Sequence, residues 1–169
     1  AMRKAGIQPD DSVALIGHSQ GGIVAAQIAA DRADEFNIRH VVTAGSPVAN
    51  HPIPEKTWVT SIEMNDELVA ALDGAQNPQT EHWLTVRGTV TPSAPQVVED
   101  GVIIPYAAAQ VPNASEGQEL SHWLRYHQAA YQNASDLGSP AVAKHEQHFA
   151  GVIDGNLRET LYYEGRMTR

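Results

Sequence analysis

The sequence predicts an α/β fold: a mainly parallel sheet of about four strands flanked by helices. Short apolar runs alternate with helical stretches along the first half of the chain, a βαβ rhythm that implies right-handed crossovers. The first run, Val13-Ala14-Leu15-Ile16, has no polar residue, as expected of a parallel strand covered on both faces. Between it and the next apolar stretch stands Gly17-His18-Ser19-Gln20-Gly21-Gly22, a glycine-rich join of a strand to a helix.

The elements follow in order. Ser12 to Ile16 is the first strand. Ile23 to Ala30 is rich in alanine and aliphatic residues and predicts a helix over about Gln20 to Ala33. Ile38 to Ala44 is the second strand, and Thr57 to Ile62 the third, rich in β-branched and aromatic residues. Asp66 to Leu72 reads as a short helix with an acidic cap, closed by Asp73-Gly74. His82 to Arg87 is the fourth strand. A structureless loop over 89–118 is improbable in a small domain, so Gln96 to Ile104 is expected to form a hairpin turning at Asp100-Gly101, a flap or contact element. Leu120, Trp123, Leu124, His127, Ala130 and Tyr131 share one helical face; Pro140, Val142, Ala143, Phe149, Ala150 and Ile153 suggest a further helix. Thr160 to Glu164 reads as a short terminal strand.

Composition narrows the classes. The chain has 169 residues, 42% of them apolar, enough for one sizeable core and a single domain over 1–169. The formal net charge of -9 argues against a nucleic-acid or anionic-membrane surface. The lack of cysteine excludes disulfides, thiolate zinc sites and a thiol nucleophile. No apolar stretch approaches the length of about 18 residues that spans a bilayer.

The glycine-rich join carries chemistry. Gly17-His18-Ser19-Gln20-Gly21 matches G-x-S-x-G, the turn that holds a serine hydroxyl out above a sheet, and makes Ser19 the candidate nucleophile. Gly17 and Gly21 are expected where a side chain would strike neighbouring backbone, with Gly22 adding clearance. With Thr43-Ala44-Gly45-Ser46-Pro47 after the second strand, the stretch from about Asp10 to Tyr131 resembles the C-terminal half of an α/β-hydrolase of the esterase and lipase kind, in its lipase-like or inositol-deacylase-like branch.

The resemblance implies a Ser, acid, His order. The acid is expected just after the second strand beyond the elbow strand, near residues 63 to 67; Asp66 is the choice, with Glu63 next and Asp73 weaker. The base is expected after the following strand, where His122 is the first histidine. The backbone N–H of Gln20 would bind the oxyanion. No cofactor or metal is needed, and a small-molecule or lipid ester is the implied substrate. The elbow arrives at residue 17, so the resemblance also implies that upstream strands and a second oxyanion donor are missing. The first strand would then lie at an exposed edge, and a homo-oligomer is expected to cover it. A catalytically impaired remnant serving as an assembly module is the alternative. His127, in phase with an apolar stripe, reads as a core residue donating to a backbone carbonyl, and Lys144 to His148 as a solvated face without metal.

Overall fold

A computed structural model describes residues 1–90, 96–99, 102–105 and 121–164. Strands β1 (Ser12–His18), β2 (Asn37–Ala44), β3 (Trp58–Met64) and β4 (Trp83–Gly88) form a parallel sheet in the order β1-β2-β3-β4. Helix α1 (Gln20–Asp31) joins β1 to β2, and α2 (Leu124–Asp136) and α3 (Pro140–Val152) follow the sheet. Strands β5 (Gln96–Glu99) and β6 (Val102–Pro105) pair antiparallel as expected of a hairpin; its turn at 100–101 lies outside the described residues.

The alternation of each strand divides the core in two. Val13, Val41 and Val59 face α1, where Ala25, Ala29, Phe36 and Ile38 complete one apolar cluster. Ile62, Leu84 and Val86 face the other way and meet Val142 of α3, with Ala130, Tyr131 and Ala134 of α2 packed alongside. Helices therefore cover both faces, which is why the strands read as nearly unbroken apolar runs. Ser139 caps α3 by accepting the Val142 N–H at 3.5 Å, and Pro140 occupies its first turn, where its missing N–H costs nothing.

Some expectations need correction. Helix α1 ends at Asp31, and β3 runs on to Met64, so Glu63 belongs to the sheet. The helix expected over Asp66 to Leu72 shrinks to a single 3-10 turn at Val69–Ala71. Thr160 to Glu164 carries no strand and is exposed. β1 does lie at an edge, and its Ile16 is 70% exposed.

The largest departure concerns α3. The Lys144 to His148 stretch is not simply a solvated face, because the helix packs across the sheet and turns His145 inward toward Thr60 of β3, where it is buried. The Thr60 hydroxyl sits 2.9 Å from His40 Nε2 and 3.0 Å from His145 Nδ1, so it can donate to one ring and accept from the other. His40 Nδ1 meets His148 Nδ1 at 3.0 Å, which requires one of the two nitrogens to be unprotonated. Trp58 stacks on His148 with centroids 4.2 Å apart. Burial, reinforced by His148 and His145, pushes His40 down to about 3, and burial likewise lowers His145 and His148.

Folding thus favours the neutral rings. Their contribution is fully present above the unfolded histidine value of about 6.5 and is lost as pH falls from there toward 3. The melting temperature is expected to fall between pH 7 and pH 4, and to fall less in His40→Gln. An equal fall in both proteins, measured by circular dichroism, would contradict this account.

Candidate active site

In a parallel sheet all strands end on the same side, and the loops that follow them share one crevice. Register brings His18 of β1 opposite Ala44 of β2, and Ala44 opposite Ile62 of β3. Ser19, Gly45 and Glu67 follow those strand ends.

Ser19 has φ 55° and ψ -127°, and it alone among the described non-glycine residues has positive φ. Such a conformation costs about 1–3 kcal/mol and persists only when its surroundings enforce it. Here the Ser19 N–H donates to the Ala44 carbonyl at 2.8 Å, and the Ser19 carbonyl accepts from Gly22 at 3.0 Å. A Cβ on Gly17 would stand 2.2 Å from the Gly21 carbonyl oxygen, and one on Gly22 would stand 2.1 Å from Ser46 Oγ. The sequence reading is corrected at Gly21, where an added Cβ would meet nothing within 4 Å. Close helix-to-strand contact falls on Gly22 instead.

Although Ser19 precedes the first turn of α1, its hydroxyl makes no capping bond. Its Oγ instead lies 2.9 Å from Nε2 of His122, and His122 Nδ1 lies 2.9 Å from Glu67 Oε2. Gln20 is the first residue of α1, where a backbone N–H has no acceptor within the helix.

The carboxylate beside His122 is therefore that of Glu67, not Asp66. The Glu67 N–H donates to the Met64 carbonyl at 3.2 Å, closing a turn with Asn65 and Asp66 at its tip. Those two residue types suit a turn tip, and both are exposed; the next residue swings back over the sheet and is buried. Glu63 points elsewhere: Asn77 donates to its Oε1 in a close contact of 2.5 Å, and Arg87 Nε donates to its Oε2 at 3.1 Å. Asp73 accepts from the Asn50 and Ala75 amides. The Asn65-Asp66 pair suits a turn as well as a helix cap, and under the turn reading the residue after it is the first to return over the sheet.

Two more histidines surround this trio. His18 Nε2 donates to the His122 carbonyl at 2.8 Å, and the two rings stack with centroids 4.9 Å apart. His127, buried in α2, places Nε2 at 3.2 and 3.1 Å from the two Glu67 oxygens and Nδ1 at 3.2 Å from the Trp123 carbonyl. The expected carbonyl contact is present, but the carboxylate contact has no counterpart in the sequence pattern. For Glu67 burial is the largest influence and works to raise its pKa; the hydrogen bonds from His127 and His122, with their charges, outweigh it and hold the carboxyl below its ordinary value.

Glu67, His122 and His127 are also the described residues whose ligand atoms converge, all within 4.8 Å of one another, as a metal ion would require. Their separations of 2.9–3.2 Å are those of shared protons, and the trio is complete as a hydrogen-bonded cluster. Gly45, at φ 55°, closes over it: an added Cβ would stand 2.8–2.9 Å from His127 Nε2, Glu67 Oε2 and His122 Nδ1. Gly45→Ala is expected to destabilise the protein by about 1–3 kcal/mol in urea denaturation. Unchanged stability would show that the cluster does not need this glycine.

Comparison with known proteins agrees with this architecture. No curated protein and no solved structure matches the chain. A family model, the PGAP1-like alpha/beta domain, matches residues 2–110, a span that holds the elbow, all four parallel strands and Glu67. The α/β-hydrolase-like character read from Gly17 to Gly22 is thereby upheld, and the chain belongs to the PGAP1-like alpha/beta domain family.

Proposed function

We propose that the chain is a serine hydrolase of carboxylic esters or lipids. The observation that carries this reading is the unbroken line from Ser19 Oγ through His122 to Glu67, each step 2.9 Å. A serine hydroxyl is a weak nucleophile until a base takes its proton, and the base must itself be oriented. In the proposed cycle Ser19 Oγ attacks the ester carbonyl while His122 Nε2 accepts its proton. Glu67 accepts the Nδ1–H bond and stabilises the imidazolium that forms. The Gln20 N–H, at the positive end of α1, donates to the developing oxyanion. His122 then returns the proton to the leaving alcohol, and water releases the acyl group by the same steps. Membership in an α/β-hydrolase-like family and the strained elbow support this assignment.

Labelling with a fluorophosphonate probe tests it. Native protein is expected to be labelled and Ser19→Ala not. His122→Ala and Glu67→Gln are each expected to slow labelling roughly 100- to 10,000-fold, the usual contribution of acid–base assistance, while Asp66→Asn stays near the native rate. Labelling that survives Ser19→Ala would overturn the assignment of the nucleophile; loss in Asp66→Asn with retention in Glu67→Gln would overturn that of the acid. The exposed Ile16 on edge strand β1 supports the further proposal that two copies pair through this edge. Light scattering is expected to report a dimer, and a monodisperse monomer with a cooperative melt would contradict it.

A further inference from the structure

Among the described residues, His127 is the one buried titratable side chain at the site for which the proposed reaction has no use. No hydrogen bond joins it to Ser19 among the described residues, and its ring is 5.6 Å from that of His18 and 6.1 Å from that of His122, edge-on to both. Yet both of its nitrogens face acceptors. Nε2 straddles the Glu67 carboxylate, and Nδ1 meets the Trp123 carbonyl, the N-cap residue of its own helix. A neutral imidazole has one N–H and one lone pair, so either tautomer would set a lone pair against an oxygen. Only the ring with two N–H groups satisfies both contacts, and burial makes an unsatisfied contact expensive.

We propose that His127 is a positioning residue: a buried imidazolium, tied to the start of α2, that holds the Glu67 carboxylate in the orientation from which it accepts the Nδ1–H of His122. The proposal rests on reading Ser19, His122 and Glu67 as a catalytic unit, but its structural content does not depend on turnover. Glu67 has two neighbours to serve and no further donor in contact among the described residues. His122 is bound through Oε2 alone, whereas His127 spans both oxygens. Without His127 the carboxylate would rotate about its last side-chain bond at little cost. With it, the oxygen that His122 needs is fixed, and the negative charge is paired inside the protein. No hydrogen bond joins His127 to Ser19 or Gln20 among the described residues, and in the proposed reaction it moves no proton.

The test combines spectroscopy with reactivity. In native protein at neutral pH, nitrogen-15 NMR is expected to show both ring nitrogens of His127 protonated, together with a downfield proton on His122 Nδ1. His127→Phe keeps the ring volume and removes both donors; it is expected to lose the downfield signal and to slow fluorophosphonate labelling by about 10- to 100-fold, the size of one charged hydrogen bond. His127→Gln, which restores one donor to Glu67, is expected to recover much of that rate. A neutral His127 in the native spectrum, or a His127→Phe protein that keeps both the downfield proton and the native rate, would overturn the proposal. Should His127→Phe fail to fold, the native spectrum alone decides. An imidazolium at His127 in a protein that the probe never labels would instead sustain the anchor and defeat the hydrolase reading.

Discussion

A carboxylate removed from water must find its charge and its hydrogen bonds inside the protein, and the upper end of this sheet is organised around one such group, Glu67. Its oxygens meet one ring from the loop before α2 and one from α2 itself, so α2 with its entry loop and the crossover loop after β3 are joined through a single side chain. Gly45, from the loop after β2, supplies the backbone that fits over these atoms. The ends of β2 and β3 therefore meet at one anion, the end of β1 is tied to it through His122, and His122 reaches Ser19 because Glu67 and the His18 contact hold it there.

The elbow on β1 carries the opposite energetic sign. Ser19 sits in a backbone region that side chains avoid, and the strain is tolerated because Gly17, Gly22 and the hydrogen bond to Ala44 leave the chain no alternative path from β1 into α1. The benefit is local: the hydroxyl is not spent on capping the helix and stands clear for His122. Buried charge on one side and backbone strain on the other both cost stability, and the two apolar clusters on either face of the sheet offset them.

Much of the fold was legible in the residues. Four apolar runs gave the four strands and their parallel arrangement, because strands covered on both faces need no polar alternation. That Ser19 and His122 would meet was legible from the elbow pattern and the strand count. The carboxylate that meets His122 lies one residue beyond the expected Asp66, since a helix cap and a turn tip draw on the same residue types and Asp66 suits both. Only the Met64 to Glu67 hydrogen bond separates the two. His127 and His145 were not legible in their roles. Helical phase showed that His127 faced the core, but no local pattern records that a carboxylate some sixty positions earlier would lie opposite it. His145 was missed for the same reason, its partner being Thr60 of a distant strand.

The central claim is that Ser19, His122 and Glu67 act as one unit, and a double-mutant cycle measures this directly. Residues that serve a single proton transfer lose their effect once one of them is gone. Fluorophosphonate reaction rates of native protein, His122→Ala, Glu67→Gln and the double variant should show the double variant reacting no more slowly than His122→Ala alone. Fully additive losses would mean that Glu67 acts independently of His122, and would contradict the account.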